Sequence, residues 1–266
     1  MNLSKYMETG KITFKSRLAY RFDLFVGTVL SIVRIILAYI LWSVVYNGKN
    51  DIAGFTFQMM MTYYIVMSFF KKLDQTDSIV WQLSSEIRSG QFSKYLVKPV
   101  NLLGYFIANS FSKSLFVLGM NISVTFVFVL IFSRYFIFHT NAAAYAAGIL
   151  VFILGLVFMI LLNYLIAIMS FKFTDVSGFN IFKSTLMEFL TGVLVPLAVL
   201  PQQAVDIMRL FPFYYIYYLP ALLFMDKGMS EFPAAILVLT AWNSIMFLII
   251  IISYRHLLRK YEGVGI

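Results

Sequence analysis

Six long apolar segments divide this chain and leave no room between them for a soluble domain. A helix needs roughly 20 mostly apolar residues to cross the ~30 Å hydrocarbon core of a bilayer. The segments span residues 24–46, 55–70, 103–132, 143–170, 183–200 and 233–254. They predict an all-α integral membrane protein of about six transmembrane helices in one domain, residues 1–266. Charged residues make up only 12% of the chain, about half the share in soluble domains.

The placement of lysine and arginine predicts which ends of these helices face the cytoplasm. With the amino terminus inside, sixteen of the 21 lysine and arginine residues fall in cytoplasmic segments and four in outside segments. Such a bias is typical of membrane proteins, whose cytoplasmic loops are enriched in these residues. We therefore expect both termini to be cytoplasmic. The net charge of +9 follows from this topology, and we expect no nucleic-acid partner.

Several classes of chemistry lack the residues they need. Cysteine is absent, which excludes disulfides, thiolate metal sites and a cysteine nucleophile. A phosphate-binding loop requires Gly-Lys followed by Ser or Thr, yet Lys11 is followed by Ile12 and Lys49 by Asn50. The acidic residues are scattered, and His139 is far from His256 in the sequence. We expect no catalysis, metal or cofactor in this chain.

Two segments outside the regular spans have distinctive patterns. Residues 1–22 carry Phe14, Leu18 and Phe22 at helical spacing, which predicts an amphipathic helix at the cytoplasmic interface. This helix either anchors the first span or helps to dock a partner. Residues 195–230 are apolar but contain several prolines, which break helices, so we expect half-helices that enter the outer leaflet and turn back. The tyrosines at positions 214, 215, 217 and 218 suit the aromatic belt of that interface.

The cytoplasmic region 71–102 contains a short amphipathic helix. Ile79, Val80, Leu83 and Ile87 fall on one helical face. Asp77 or Ser78 can cap its start, and Gly90 can end it in the left-handed conformation. This helix either lies on the lipid headgroups as a connector or fits a groove on a soluble partner.

Arg34, Glu188 and Asn163 are the candidate polar residues within the membrane. Arg34 is near the middle of the first span, where a charge costs roughly 2.5–3.5 kcal/mol. It is expected to form an ion pair, with Glu188 the candidate partner, or to contact backbone carbonyls; it could also line a transport path or reach the interface. Asn163 is expected to link helices by hydrogen bonds or, as the alternative, to touch substrate. Ala144 and Gly148 form a small-xxx-small pair that permits close packing.

Three stretches resemble one branch of the type-2 ABC exporter permeases. Residues 86–101 (EIRSGQFSKYLVKPVN) are similar to the signature after the second span of that branch. Residues 194–201 (LVPLAVLP), followed by LFPF at 210–213 and YLP at 218–220, are similar to the segment before its last span.

The resemblance implies a permease in a bacterial plasma membrane that forms a dimer with a second permease, identical or different. Separate ABC ATPase subunits would bind ATP and Mg²⁺, and substrate would pass between the two permeases. It also implies that residues 78–89 form the helix that couples to the ATPase and that the amino-terminal helix is the connecting helix beside it. The coupling residues would be Ile79, Val80, Leu83, Glu86, Ile87, Arg88 and Gly90.

The sequence leaves two other functions open. One is a standalone secondary transporter or channel, which typically has a charged relay in the membrane or paired broken helices. The other is a membrane scaffold that anchors a soluble partner.

Overall fold

The computed structural model describes residues 4–17, 21–97, 101–131 and 139–258, and most of these residues are helical. The predictions for Leu18 and for the side chain of Phe22 lie outside what it describes, as do residues 98–100 of the stretch 86–101. In chain order the helices are α1 (Ser4–Arg17), α2 (Arg21–Val45), α3 (Phe57–Leu73), α4 (Ser78–Arg88), α5 (Ser93–Leu96), α6 (Leu102–Ile131), α7 (Ala142–Ile168), α8 (Ser177–Leu190), α9 (Gln202–Met208), α10 (Phe213–Ile216), α11 (Tyr218–Leu223) and α12 (Phe232–Leu258).

Within the described residues, three helical stretches are long and apolar enough to cross a membrane. They are Leu102–Met120, Ala142–Phe171 and Met229–Leu258. Ile32–Val45 and Phe213–Leu223 are shorter apolar helical stretches. The predicted all-helical architecture is therefore confirmed for this part of the chain.

Helix α7 lies at the centre of the fold. It packs along α12 and also contacts α4, α6, α8, α10 and α11. Close approach is possible because small residues line it: a Cβ on Gly148 would come within 2.8 Å of the Phe224 ring, and one on Gly155 within 3.0 Å of the Ile216 backbone. The predicted close packing at Gly148 is confirmed, and its partner is the segment that follows α11.

Helices α2 and α3 form an antiparallel pair. Their contact runs from Tyr46 beside Phe57, with ring centroids 5.6 Å apart, to Trp42 beside Tyr64 at 6.3 Å. At the amino terminus, α1 packs on α6: the Phe14 and Phe116 rings are 5.1 Å apart. The described part of the amino-terminal helix thus lies against another helix of the same chain.

The predicted bounds of the fifth span, residues 183–200, are wrong. Helix α8 begins at Ser177 and ends at Leu190, because Gly192 adopts a left-handed φ of +77° and Pro196 follows. The Gly192 N–H donates to the Phe189 carbonyl at 3.2 Å, and the Leu194 N–H donates to the Glu188 carbonyl at 3.0 Å. Fourteen residues span only about 21 Å.

The proline-rich segment folds into the short helices α9, α10 and α11. Pro201 and Pro212 directly precede α9 and α10, and Pro220 lies in the first turn of α11, where a missing backbone N–H costs no helical hydrogen bond. The predicted interruption of this segment by its prolines is confirmed.

The interpretation of its tyrosines as an aromatic belt is wrong. The side chains of all four are buried in the protein: Tyr214, Tyr215, Tyr217 and Tyr218. The Tyr215 hydroxyl donates to the Arg209 carbonyl at 2.9 Å. Burial is favoured because these rings pack beside α7 while their hydroxyls find partners inside the chain.

Candidate functional site

Helix α4 is amphipathic as predicted, and its apolar face packs inside the chain. Ile79, Val80, Leu83 and Ile87 are all buried, because α4 lies against α7 and the short 3-10 helix Met169–Phe171. Each buried aliphatic side chain contributes roughly 1.5–3 kcal/mol. Four of the seven predicted coupling residues thus hold α4 in place and are not exposed to a partner.

The opposite face of α4 is exposed. Trp81 is 50% exposed, and Ser85 and Arg88 follow it at i+4 and i+7 on the same side. A half-exposed tryptophan on the same helix face as an arginine is typical of protein interfaces, where both residue types are enriched. The sequence analysis named Arg88 among the coupling residues but not Trp81 or Ser85, since the pattern drew attention to the apolar positions.

Gly90 ends α4 as predicted, with a left-handed φ of +75°. The Gly90 N–H donates to the Ile87 carbonyl at 3.3 Å, and the Phe92 N–H donates to the Glu86 carbonyl at 2.9 Å. Across this turn the Lys94 ammonium donates to the Glu86 carboxylate at 2.7 Å. Glu86 therefore fastens α5 to the end of α4.

The predicted cap at the start of α4 is wrong. Asp77 makes no side-chain cap hydrogen bond; instead its carboxylate accepts a hydrogen bond from the Lys183 ammonium of α8. Lys183 also donates to the Asn163 side-chain oxygen Oδ1 at 2.7 Å, and the Asn163 side-chain amide donates to the Thr76 hydroxyl at 2.8 Å. Asn163 thus links three parts of the chain, as expected of a helix cross-link.

A second set of polar contacts joins the start of α4 to the proline-rich segment and to α6. The Asp74 carboxylate accepts hydrogen bonds from the Thr76 hydroxyl, at 2.6 Å, and from the Tyr217 hydroxyl. The Lys113 ammonium of α6 donates to the Ser78 hydroxyl at 2.9 Å. Residues 74–78 are therefore anchored to three other helices, α6, α7 and α8, and to Tyr217 between α10 and α11.

The far end of α4 lies beside the loop between α7 and α8. Arg88 is 3.6 Å from the Asp175 carboxylate. Hydrogen bonds from the Ser177 hydroxyl and backbone N–H hold the pKa of Asp175 below its usual range, and the Arg88 charge acts in the same direction. Asp175 thus remains a carboxylate beside the exposed face of α4.

Arg34 and Glu188 line one cavity between α2, α3 and α8. No ion pair joins them in the described part of the chain, so the predicted pairing is not formed here. Lys71 and Lys72, from the last turn of α3, line the same cavity. Sequence reasoning had not connected these two lysines with Arg34.

The Asp77–Lys183 pair was also missed, because the two residues are 106 positions apart and no local pattern joins them. The only sequence signal was a lysine within a predicted span.

One family model matches the chain. The model described as an ABC-2 family transporter protein matches residues 32–265. No curated protein matches significantly. The match covers most of the chain, including α3 to α12 and the α4 region described above, and it agrees with the apolar helices of a membrane protein. The chain therefore belongs to the ABC-2 transporter family and is a membrane permease component of an ABC transporter.

Proposed function

We propose that this chain is the permease subunit of an ATP-driven exporter in a bacterial plasma membrane. It forms the substrate pathway with a second permease, and separate ABC ATPase subunits bind ATP and Mg²⁺. Six membrane-spanning segments with both termini in the cytoplasm are part of this proposal, which the lysine and arginine distribution supports. The family supports the role of permease.

The observation that carries the proposal is the two-sided packing of α4. Its apolar face is buried against α7, while Trp81, Ser85 and Arg88 remain exposed. In the proposed complex the ATPase contacts this exposed face. Asp77 forms an ion pair with Lys183 of α8, and Asp74 accepts a hydrogen bond from Tyr217. Because of these contacts, a displacement of α4 moves the membrane part of the fold with it. The amino-terminal helix α1 acts as the connecting helix.

Co-purification with the ATPase tests this assignment. The chain is expressed with its neighbouring genes, as wild type and as Trp81→Ala combined with Arg88→Ala. Loss of a tryptophan at the centre of an interface costs about 2 kcal/mol or more, which weakens binding about 30-fold. We expect the ATPase to co-purify with the wild type and to be largely lost from the variant, whose thermal unfolding is unchanged because both side chains are exposed.

Lys49→Ala and Leu237→Ala are the matched controls, since both residues are exposed and lie far along the chain from α4. ATPase binding equal in the wild type and the α4 variant would contradict the docking face. If no ATPase associates with the wild type, a standalone secondary transporter or channel becomes the leading alternative.

A further inference from the structure

A cavity of about 650 Å³ opens between α2, α3 and the region from Glu188 to Leu194. This volume lies within the range of small-molecule sites, roughly 300–1,000 Å³. Two hydrogen bonds place α3 against the end of α8: the Tyr63 hydroxyl donates to the Gly192 carbonyl at 2.6 Å, and the Tyr64 hydroxyl to the Leu194 carbonyl at 3.2 Å. These hydrogen bonds therefore hold two walls of the cavity together, α3 and the residues that follow α8.

One part of the cavity is charged. Lys71 and Lys72 lie in the last turn of α3. The antiparallel contacts of α2 and α3, with Tyr46 beside Phe57 and Trp42 beside Tyr64, place Arg34 near the level of Lys71. Glu188 lies in the last turn of α8, before the residues that contact Tyr63 and Tyr64.

Another part of the cavity is apolar. Leu37, Ala38 and Leu41 of α2 face it at the level of Tyr64. Val193 and Leu194 line the same part, since the Leu194 carbonyl is bonded to Tyr64. The cavity thus has a charged part beside an aliphatic part, which is the polarity of an amphiphilic molecule; Gly27 and Leu30 line it on the other side of Arg34.

Among the described residues that line the cavity, Arg34, Lys71 and Lys72 are cationic and Glu188 is the one carboxylate. Within the described residues no ion pair joins Glu188 to Arg34 or Lys71; the Lys71 ammonium lies 5.9 Å from the centre of the Tyr217 ring. Like charges grouped in one cavity repel one another unless an anion lies between them, and a guanidinium matches phosphate or carboxylate through paired hydrogen bonds.

We propose that this cavity binds an anionic amphiphile, with a phosphate or carboxylate head at Arg34 and Lys71 and a hydrocarbon tail along Leu37, Leu41 and Val193. The Glu188 carboxylate opposes this head and limits its affinity. That the bound molecule is also the exported substrate rests on the proposed function, whereas its binding to the chain does not.

Quenching of Trp42 fluorescence by brominated lipid tests the site. Trp42 packs on Tyr64 beside the aliphatic part, and Trp81→Phe with Trp242→Phe leaves it as the single tryptophan. The full chain is placed in phosphatidylcholine vesicles containing either brominated phosphatidic acid or brominated phosphatidylcholine at the same mole fraction. We expect a preference for phosphatidic acid of about tenfold, as a charge-assisted hydrogen-bonded contact provides.

Variants of the lining residues separate this site from general surface attraction. Arg34→Gln and Lys71→Gln are expected to bring the preference close to one, and Glu188→Gln to raise it, because the opposing carboxylate is removed. Lys11→Gln with Lys15→Gln is the matched control, since these lysines line a different cavity between α1 and α6. This control is expected to keep the preference for phosphatidic acid.

Three results would overturn the proposal. The first is equal quenching by the two lipids in the wild type, and the second is an equal loss of preference in the Lys11 and Lys15 control. The third is complete displacement of phosphatidic acid by millimolar inorganic phosphate, which would mean that the tail contributes nothing. The assay contains no ATPase, so lipid binding can be observed even if the proposed coupling to an ATPase is wrong. Equally, the coupling can be correct even if no lipid binds.

Discussion

Asp77 and Lys183 differ in how well water reaches them. The Lys183 side chain is 6% exposed, whereas that of Asp77 is 46% exposed. Removing one member of an ion pair is most costly when the remaining charge is buried. The two residues therefore contribute unequally to stability although they share one contact.

At this scale we expect Asp77→Ala to destabilise the protein more than Lys183→Met. Asp77→Ala leaves the buried Lys183 ammonium with the Asn163 side-chain oxygen as its partner within the described part of the chain, at a cost of about 3 kcal/mol. Lys183→Met leaves a half-exposed carboxylate that water can solvate and a buried Asn163 oxygen, at about 1–2 kcal/mol. Thermal unfolding of the detergent-solubilised variants measures the difference.

The double variant provides the control, because it leaves no uncompensated charge. It is expected to be more stable than Asp77→Ala alone. If the loss of stability in the double variant equals the sum of the losses in the two single variants, the two charges do not interact.

At the scale of elements, two glycines stop helices in the same way. Gly90 ends α4 and Gly192 follows the end of α8, both with a left-handed φ. In each case the N–H two residues after the glycine donates to the carbonyl four residues before it. The first stop was predicted and the second was not, because a glycine inside an apolar run reads as part of a membrane span.

Gly192→Ala is expected to be more damaging than Gly48→Ala. Both residues have a positive φ, +77° and +78°, so each substitution carries about 1–2 kcal/mol of backbone strain. A Cβ on Gly192 would also lie 2.6 Å from the Tyr63 hydroxyl oxygen, whereas one on Gly48 has nothing within 4 Å. Crowding adds roughly 1–3 kcal/mol at Gly192 alone.

Unfolding temperatures of the two variants, measured side by side, check this expectation. An equal decrease in unfolding temperature in the two variants would mean that Tyr63 moves aside without cost and that the α3–α8 contact is not tightly packed.

At the scale of the whole molecule, α7 joins α4, which we propose to be cytoplasmic, to the helices that we propose to span the membrane or enter it. It contacts α4 as well as α10, α11 and α12. If the proposed topology is correct, α4 and the loop between α2 and α3 lie on opposite sides of the membrane. Because the chain contains no cysteine, single cysteines can be introduced to test the topology without first removing others.

We expect Ser89→Cys to react with a membrane-impermeant maleimide only from the cytoplasmic side and Lys49→Cys only from the outside. Both residues are exposed, so protein burial does not limit the reaction. Labelling of intact and permeabilised cells measures the sidedness, with the cysteine-free wild type as blank. Reaction of both positions from one side would contradict the proposed topology.

Local patterns in the sequence determined much of the fold. Apolar length predicted α2, α3, α6, α7 and α12 to within a few residues, because lipid demands continuous apolar helices. The 3.6-residue period predicted α4, and the backbone freedom of glycine predicted its stop at Gly90. These features depend on residues that are close together in the chain, so they can be predicted from the sequence alone.

Only the tertiary structure decided which surfaces meet. It buried the apolar face of α4 and left Trp81 exposed, paired Asp77 with Lys183, and enclosed the tyrosines of the proline-rich segment. It also brought Arg34, Lys71 and Glu188 to one cavity without pairing Arg34 with Glu188. In an apolar chain nearly every helix face can pack on protein or face lipid, so hydrophobicity alone does not choose between them. The choice depends on long-range shape and on the few polar groups that must find partners.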